Sequence, residues 1–338
     1  MPTNPELARF VRGPLTENRH TGAICVCGPD GDILAAVGDA GRAVFPRSAI
    51  KTMQALAMFS SGAAEMFGIE GEALAIACAS HNGEKAHTDL VARILARLDL
   101  DADALECGAH PPLDSATRRD MLARGEKPSA LHNACSGKHA GMLAVARALG
   151  ADPQGYVRPD HPVQKEVRAR IEAVIGQELA PGQCGTDGCS IPTCAAPLSA
   201  FAGGMARMAS GKGLDDATGA AARTILDAVT AHPFFVGGSR SFDTELMGAF
   251  AGRLSIKYGA DGVFCGALRD RGLGFALKCD DGSVPAATAM VANLLLGIAA
   301  PDGEAKAILE RNARKVVRNW TGLEVGVLEA DAAARIRV

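Results

Sequence analysis

Phe45-Pro46-Arg47-Ser48-Ala49-Ile50-Lys51 is the stretch on which the reading of this chain turns. A serine stands three residues before a lysine. Apolar residues then recur at Ile50, Met53, Leu56 and Phe59, which is helix spacing. One helical turn places Ser48 and Lys51 on the same face. A serine hydroxyl is a poor nucleophile until a neighbour takes its proton. A lysine does this only when neutral, and burial or a second nearby ammonium favours that form. The plainer alternative is an N-cap serine with a solvent-facing lysine one turn on. Two later tripeptides weigh against it. Ser80-His81-Asn82 follows a strand-like segment at residues 73–79, and Lys257-Tyr258-Gly259 lies on a late strand-like segment. Lys257 is then the second cation beside Lys51, or the partner of Ser80. The candidate catalytic set is Ser48, Lys51, Ser80 and Lys257.

Ser-x-x-Lys, Ser-x-Asn and Lys-x-Gly, in that order, are the signatures of active-serine β-lactamases and penicillin-binding proteins. A serine hydrolase is the leading reading of the residues. Polar groups flank these motifs. Arg47 suits a bidentate clamp on a carboxylate, and Glu84 suits an ammonium, the two charges of an amino-acid α-carbon. His81, Asn82 and Asp187 complete the candidate substrate-binding set. No Gly-x-Ser-x-Gly elbow supports a histidine-based triad.

Bulk composition narrows the classes. The 338 residues carry 35 Lys plus Arg against 38 Asp plus Glu, a formal charge of -3. With no basic block, one Trp and two Tyr, nucleic-acid binding through a basic aromatic face is unsupported. No run approaches 18 apolar residues, so no membrane span is expected. The first ten residues lack the apolar core of a secretion signal. Ten cysteines without such a signal lead to the expectation of reduced thiols in a cytoplasm.

Residues 21–27 and 32–37 read as strands joined by a Pro29-Asp30-Gly31 hairpin turn. Residues 253–257, 263–268 and 272–279 read as a three-stranded antiparallel meander. Between them helix spacing recurs at 86–100, 139–149, 163–175, 198–208 and 220–229. Further helices follow at 285–296 and 304–317. The expected fold class is α/β, like the serine β-lactamases and penicillin-binding proteins. It has an antiparallel sheet of about five strands from both chain ends and a mostly helical subdomain. The expectation is a single catalytic domain over 1–338, with residues 1–45 and 236–338 holding the sheet and 46–235 mostly helical.

Asn133, Cys135, Ser136, Gly137, Lys138 and His139 cluster ahead of a helix, and Thr186-Asp187-Gly188-Cys189-Ser190 forms a polar turn. Cys-x-x-Lys with one distant cysteine is a weak zinc signal, because tetrahedral zinc draws on four Cys, His or carboxylate ligands. Residues alone read Cys135 and Cys189 as buried thiols, with Cys184, Asp187, Cys194, His132 and His139 as further candidate donors nearby.

The chain resembles the rhizobial-type L-asparaginases, the asparaginase II group, over about residues 8–330. The blocks that carry this are Phe45 to Lys51, Ser80-His81-Asn82-Gly83-Glu84, and His132-Asn133-Ala134-Cys135-Ser136-Gly137-Lys138-His139. Gly185 to Pro192 and Ile256-Lys257-Tyr258-Gly259-Ala260-Asp261-Gly262 continue it. The resemblance implies hydrolysis of L-asparagine to L-aspartate and ammonia, with a glutaminase or broad amidohydrolase as alternative. It implies pairing of Ser48 with Lys51 and of Ser80 with Lys257. It also implies one zinc held by Cys135, Lys138 and Cys189, with water completing the shell, and a homodimer. A non-catalytic metal-binding protein is the reading from a different class. Tyr258 is bulkier than the small residue expected in that motif.

Overall fold

The structure is a computed structural model that describes residues 4–338. The chain divides into two compact units. One is the segment ending at Ala49 with Ala195–Lys212 and Ala249–Val338, and the other is Ile50–Cys194 with Gly213–Gly248.

The first unit is built on eight strands. They are β1 Glu6–Arg12, β2 Leu15–Cys27, β3 Ile33–Val37, β4 Leu254–Gly259, β5 Val263–Leu268, β6 Leu273–Cys279, β7 Arg314–Arg318 and β8 Glu324–Ala330. Their order is β7-β8-β1-β2-β6-β5-β4, with β3 paired to β2, and each pairing is antiparallel. The sheet is therefore assembled from both chain ends, as the sequence led us to expect, but from eight strands and not about five. The hairpin and the meander stand where they were read. β1, β7 and β8 were not anticipated. β7 is an edge strand whose charged residues hide the apolar alternation, a common protection of sheet edges. It had been read as the end of a helix, which stops at Ala313. β5 is buried at all six positions because the helices Leu198–Ser210 and Val284–Ile298 pack on the sheet. Gly274 on β6 permits the first of these approaches: a Cβ there would run into the backbone at Ala202 and Ala206.

The second unit is mostly helical. Helices Lys85–Arg97, Ser136–Ala148, Pro162–Ile175 and Asp216–Ala231 match the sequence periodicity. Residues 73–79 do not form the expected strand. They lie in and after the helix Gly71–Ala77, which packs on Ser136–Ala148 and Asp216–Ala231. A short, fully buried apolar run carries no period that separates helix from strand, and its alanines favour helix. The run after Ser48 is also not one helix. A 3-10 turn, Arg47–Ile50, leads into Lys51–Gln54, Leu56–Ser60 and Ala63–Met66.

Cys184 and Cys194 sit opposite each other on the short strands Cys184–Thr186 and Pro192–Cys194 and are joined in a disulfide. This corrects the expectation of reduced thiols for that pair and removes both as metal donors. Spacing could not reveal it, since direct opposition depends on the hairpin register. Among the described residues no helix is long and apolar enough to cross a membrane.

Candidate active site

In the helical unit Lys51 is only 1% exposed. Its Nζ donates to Ala79 O, to Ser80 Oγ at 3.0 Å and to Cys135 Sγ at 3.2 Å. Ser80 is held by its own N–H, which donates to Val236 O at 3.0 Å, and the N–H of His81 donates to Ala134 O at 3.1 Å. These bonds tie the segment leaving the Gly71–Ala77 helix to the loop before Cys135. His81 is fully buried. Its Nδ1 accepts from Gly83 N–H at 3.1 Å, so Nε2 carries the proton and donates to Ser136 Oγ at 2.9 Å. Ser136 Oγ donates on to Leu131 O at 2.9 Å. Burial, reinforced by His87 and Lys51, pushes the His81 imidazole well below its ordinary value and keeps it neutral. Both of its ring nitrogens are thus engaged within the protein, not turned to a ligand.

Cys135 ends the loop before the Ser136–Ala148 helix, and Lys138 stands one turn on, facing the same way. Cys189 arrives on the turn between the two short strands, where Asp187 N–H donates to Ile191 O at 2.8 Å. The three side chains converge: Lys138 Nζ donates to Cys189 Sγ at 2.9 Å, and Cys189 hydrogen-bonds Cys135. That bond, with Lys51 and Lys138 behind it, pulls the Cys135 thiol well below its ordinary value against the opposing effect of burial. Cys189 moves upward, through the same bond and through burial. Burial works against the Lys138 charge, but Cys135 and Cys189 outweigh it and raise its pKa. The neighbouring His139 donates or accepts at Nδ1 with Tyr156 Oη at 2.5 Å, while its buried Nε2 has no partner among the described residues. Two thiols and an amine that converge are a donor set suited to a borderline-soft cation.

Asn82 and Glu84 are turned to the Gly238–Ser239 bend. Glu84 accepts from Ser239 N–H at 2.7 Å and Ser239 Oγ at 2.9 Å, and Asn82 Nδ2 donates to Ser239 O at 3.1 Å. Glu84 also closes a capping box with His87 at the start of Lys85–Arg97.

The sheet unit carries the remaining candidates. Ser48 is half-buried on the 3-10 turn that runs into Lys51. Arg47, before it, has φ +51°, uncommon for a residue with a Cβ, and its guanidinium pairs with Asp261. The turn is seated on the end of β4: a Cβ on Gly259 would lie 2.7 Å from Pro46 O and 3.1 Å from Ala49 N. Lys257 is buried on that strand. Its Nζ donates to Tyr258 O at 2.9 Å and sits 3.9 Å from the centre of the Tyr258 ring. The bulk of Tyr258 therefore serves as a cation-π seat for Lys257.

A model of the L-asparaginase II family matches residues 8–330, a span that holds every one of these groups. The chain belongs to the L-asparaginase II family. Its activity is hydrolytic and of asparaginase type, an amidohydrolase. No curated protein matches the chain significantly. Solved structures align with it at low identity. A β-lactamase from Mycobacterium bovis does so at 17% identity over 78% of this chain and 88% of that one, with a TM-score of 0.39. Mglu aligns at 14% identity over 82% and 66%, with a TM-score of 0.42. At these scores the alignments carry no argument, and the fold of this asparaginase II member rests on its own strand order.

Sequence reasoning missed three contacts around the site. Ser136 fixes His81, Ser239 occupies the Glu84 carboxylate, and Lys51 touches Cys135, which joins two constellations that had been read separately. The Gly237-Gly238 pair was the available signal for Ser239. Gly238 has φ +86°, and a Cβ there would meet Asn82 and Glu84 at 2.8 Å. A different trio, His20, Cys279 and Asp281, has donor atoms all within 4.8 Å of one another and could coordinate a metal.

Proposed function

We propose that this asparaginase II member hydrolyses L-asparagine to L-aspartate and ammonia, with Ser48 as nucleophile and Lys51 as its base. One observation carries the reading: a buried Lys51 whose Nζ lies 3.0 Å from Ser80 Oγ, three residues along the chain from a half-buried serine. Ser80 is 4% exposed, which suits a relay hydroxyl better than an attacking one. Ser48 Oγ attacks the side-chain amide carbon while Lys51, in its neutral form, takes the hydroxyl proton. The C–N bond breaks, and Lys51 returns that proton to the leaving nitrogen, which departs as ammonia. Water then cleaves the β-aspartyl ester, and its proton returns through Lys51 and Ser80 to Ser48. Lys257 is assigned as the second cation of the relay. Arg47, exchanging Asp261 for the substrate, clamps the α-carboxylate; its unusual backbone is the kind of strain that collects at ligand clamps.

Zinc is assigned to Cys135, Lys138 and Cys189, where it would supply fixed positive charge for positioning the substrate. Lys138 would coordinate only after the metal displaced its proton. Asp187, on the turn that carries Cys189, is assigned to substrate binding. The assembly proposed is a cytoplasmic homodimer, the commonest symmetric assembly. Light scattering that gives a stable mass of one chain would count against it.

Glutamine differs by one methylene, which a pocket discriminates by only about 1–3 kcal/mol, so it is the competing substrate. The deciding assay is ammonia release from asparagine, glutamine and, as control, a chromogenic β-lactam. Ammonia from neither amide sinks the proposal. Full turnover by Ser48→Ala rules out Ser48 as nucleophile, and an inert Ser80→Ala with the trapped covalent enzyme mapped to Ser80 moves the role there.

A further inference from the structure

We propose that His20, Cys279 and Asp281 form a cation site in the sheet unit, taking a divalent ion of borderline softness such as Zn2+ and clipping β2 to the turn after β6. The proposal does not depend on the assignment of Cys135, Lys138 and Cys189, which belong to the other unit.

The trio offers one imidazole nitrogen, one thiol and one carboxylate, a mixed set that zinc accepts with water in the fourth position. Asp281 is the hub. Its Oδ2 lies 2.6 Å from His20 Nδ1, and its Oδ1 accepts from Cys279 Sγ at 3.0 Å. These edges are about half an ångström or more shorter than those of a coordinated tetrahedron, so rotations of exposed Asp281 and half-buried His20 open the centre. The backbone carrying the donors is already fixed. Cys279 stands opposite Gly22 in the β2/β6 ladder, and Asp280 N–H donates to Thr21 O at 2.9 Å. Asp280 also accepts from Thr21 Oγ1 at 2.8 Å and from Asn4 Nδ2 at 3.0 Å. Asp281 Oδ1 accepts from Ser283 N–H at 2.9 Å, which orients the carboxylate as partners beyond the ligands do in metal sites.

The nearby cations are committed elsewhere. Arg42 pairs with Asp280, and Lys278 Nζ donates to the carbonyls of Asp261 and Cys279. Among the described residues Asp281 pairs with His20 and with no lysine or arginine. A carboxylate, a thiol and an imidazole that face one another are left for a cation to share.

The test uses the full chain as Cys135→Ser/Cys189→Ser, which removes the thiols of the other assigned site. Co2+ is the probe, because a cobalt–thiolate bond gives a near-ultraviolet charge-transfer band. The expected result is one equivalent of Co2+ with that band, displaced by Zn2+. Cys279→Ala should abolish the band, and His20→Gln should weaken Co2+ binding by at least about tenfold. In the otherwise unsubstituted chain, His20→Gln should hold one equivalent of zinc fewer after loading with Zn2+ and desalting, which covers the case of a double variant that does not fold. Uptake without a thiolate band, a band indifferent to His20→Gln, or no uptake at large molar excess would overturn the proposal.

Discussion

Replacing Glu84 by alanine separates a substrate-binding carboxylate from a structural one. Its two oxygens receive Ser239 N–H at 2.7 Å and Ser239 Oγ at 2.9 Å, and the residue caps the Lys85–Arg97 helix. Loss of the cap costs about 1 kcal/mol. Leaving Ser239 N–H without its acceptor costs about 1–3 kcal/mol, at the lower end here because Glu84 is half-exposed. The sum is about 2–3 kcal/mol in Glu84→Ala. Ser239→Ala removes only the hydroxyl bond and should cost about 1 kcal/mol. The double variant should then be no less stable than Glu84→Ala, since the hydroxyl's partner is already gone. Urea denaturation of the four proteins of this cycle measures the coupling as about 1 kcal/mol. Losses that add to within about 0.5 kcal/mol would refute the Glu84–Ser239 bond as a stabilising contact. An unchanged midpoint in Glu84→Ala, together with a raised KM for asparagine, would give the carboxylate to the substrate alone.

Three further outcomes follow from the same geometry. Gly259→Ala should cost about 1–3 kcal/mol and lower kcat by displacing the Ser48 turn, whereas Gly248→Ala, with nothing within 4 Å of its new Cβ, should do neither; urea midpoints and ammonia release compare the two. Cys135→Ser, purified without added metal, should contain less zinc than the parent by elemental analysis, and equal contents would remove Cys135 from the metal site. Asp114 caps the Ser115–Ala123 helix, and the Thr117 N–H bond holds its carboxyl below the ordinary value despite some burial. A folded pKa lowered in this way stabilises above the unfolded value and is lost as pH falls through the folded one. Asp114→Ala should therefore cost about 1 kcal/mol at pH 7 and progressively less below about pH 4, and a gap that stayed constant down to pH 2 would contradict the assignment.

What the sequence disclosed was local. The Ser48 turn, the Pro29-Asp30-Gly31 hairpin and the meander of β4, β5 and β6 each depend on neighbours a few residues apart. Period and turn chemistry suffice for them. The helix Gly71–Ala77 was misread because burial on all sides erases the period. Glu84 meets Ser239 at a separation of 155 residues, and Lys51 meets Cys135 at 84. No local pattern encodes such pairings. His81 was placed in the substrate-binding set, but its imidazole lies in the interior with Ser136. Tyr258 is bulkier than its motif leads one to expect, and its ring holds Lys257. The family blocks were legible as a set, since each fixes residue types that packing alone would not demand.

A sheet drawn from both ends of a chain imposes a schedule on synthesis. β2 pairs through residues 22–27 with β6 at 273–279, some 250 residues later. At about 5–20 residues per second, the gap between their appearances is on the order of ten seconds or more. During that wait Ile24, Cys25 and Val26, which end fully buried, have the β1 and β3 hairpins and, once it has emerged, the helix Leu198–Ser210 for company, but not β6. The helical unit ends at Gly248, before β4 begins, so its chain is complete while the sheet still lacks its centre. Ribosome-bound chains halted with residue 253 clear of the exit tunnel should already protect the Ser136–Ala148 helix from proteolysis and leave residues 22–27 open to it. The nascent sheet is the part of the molecule that needs shelter from aggregation, and its vulnerability ends with the emergence of the meander.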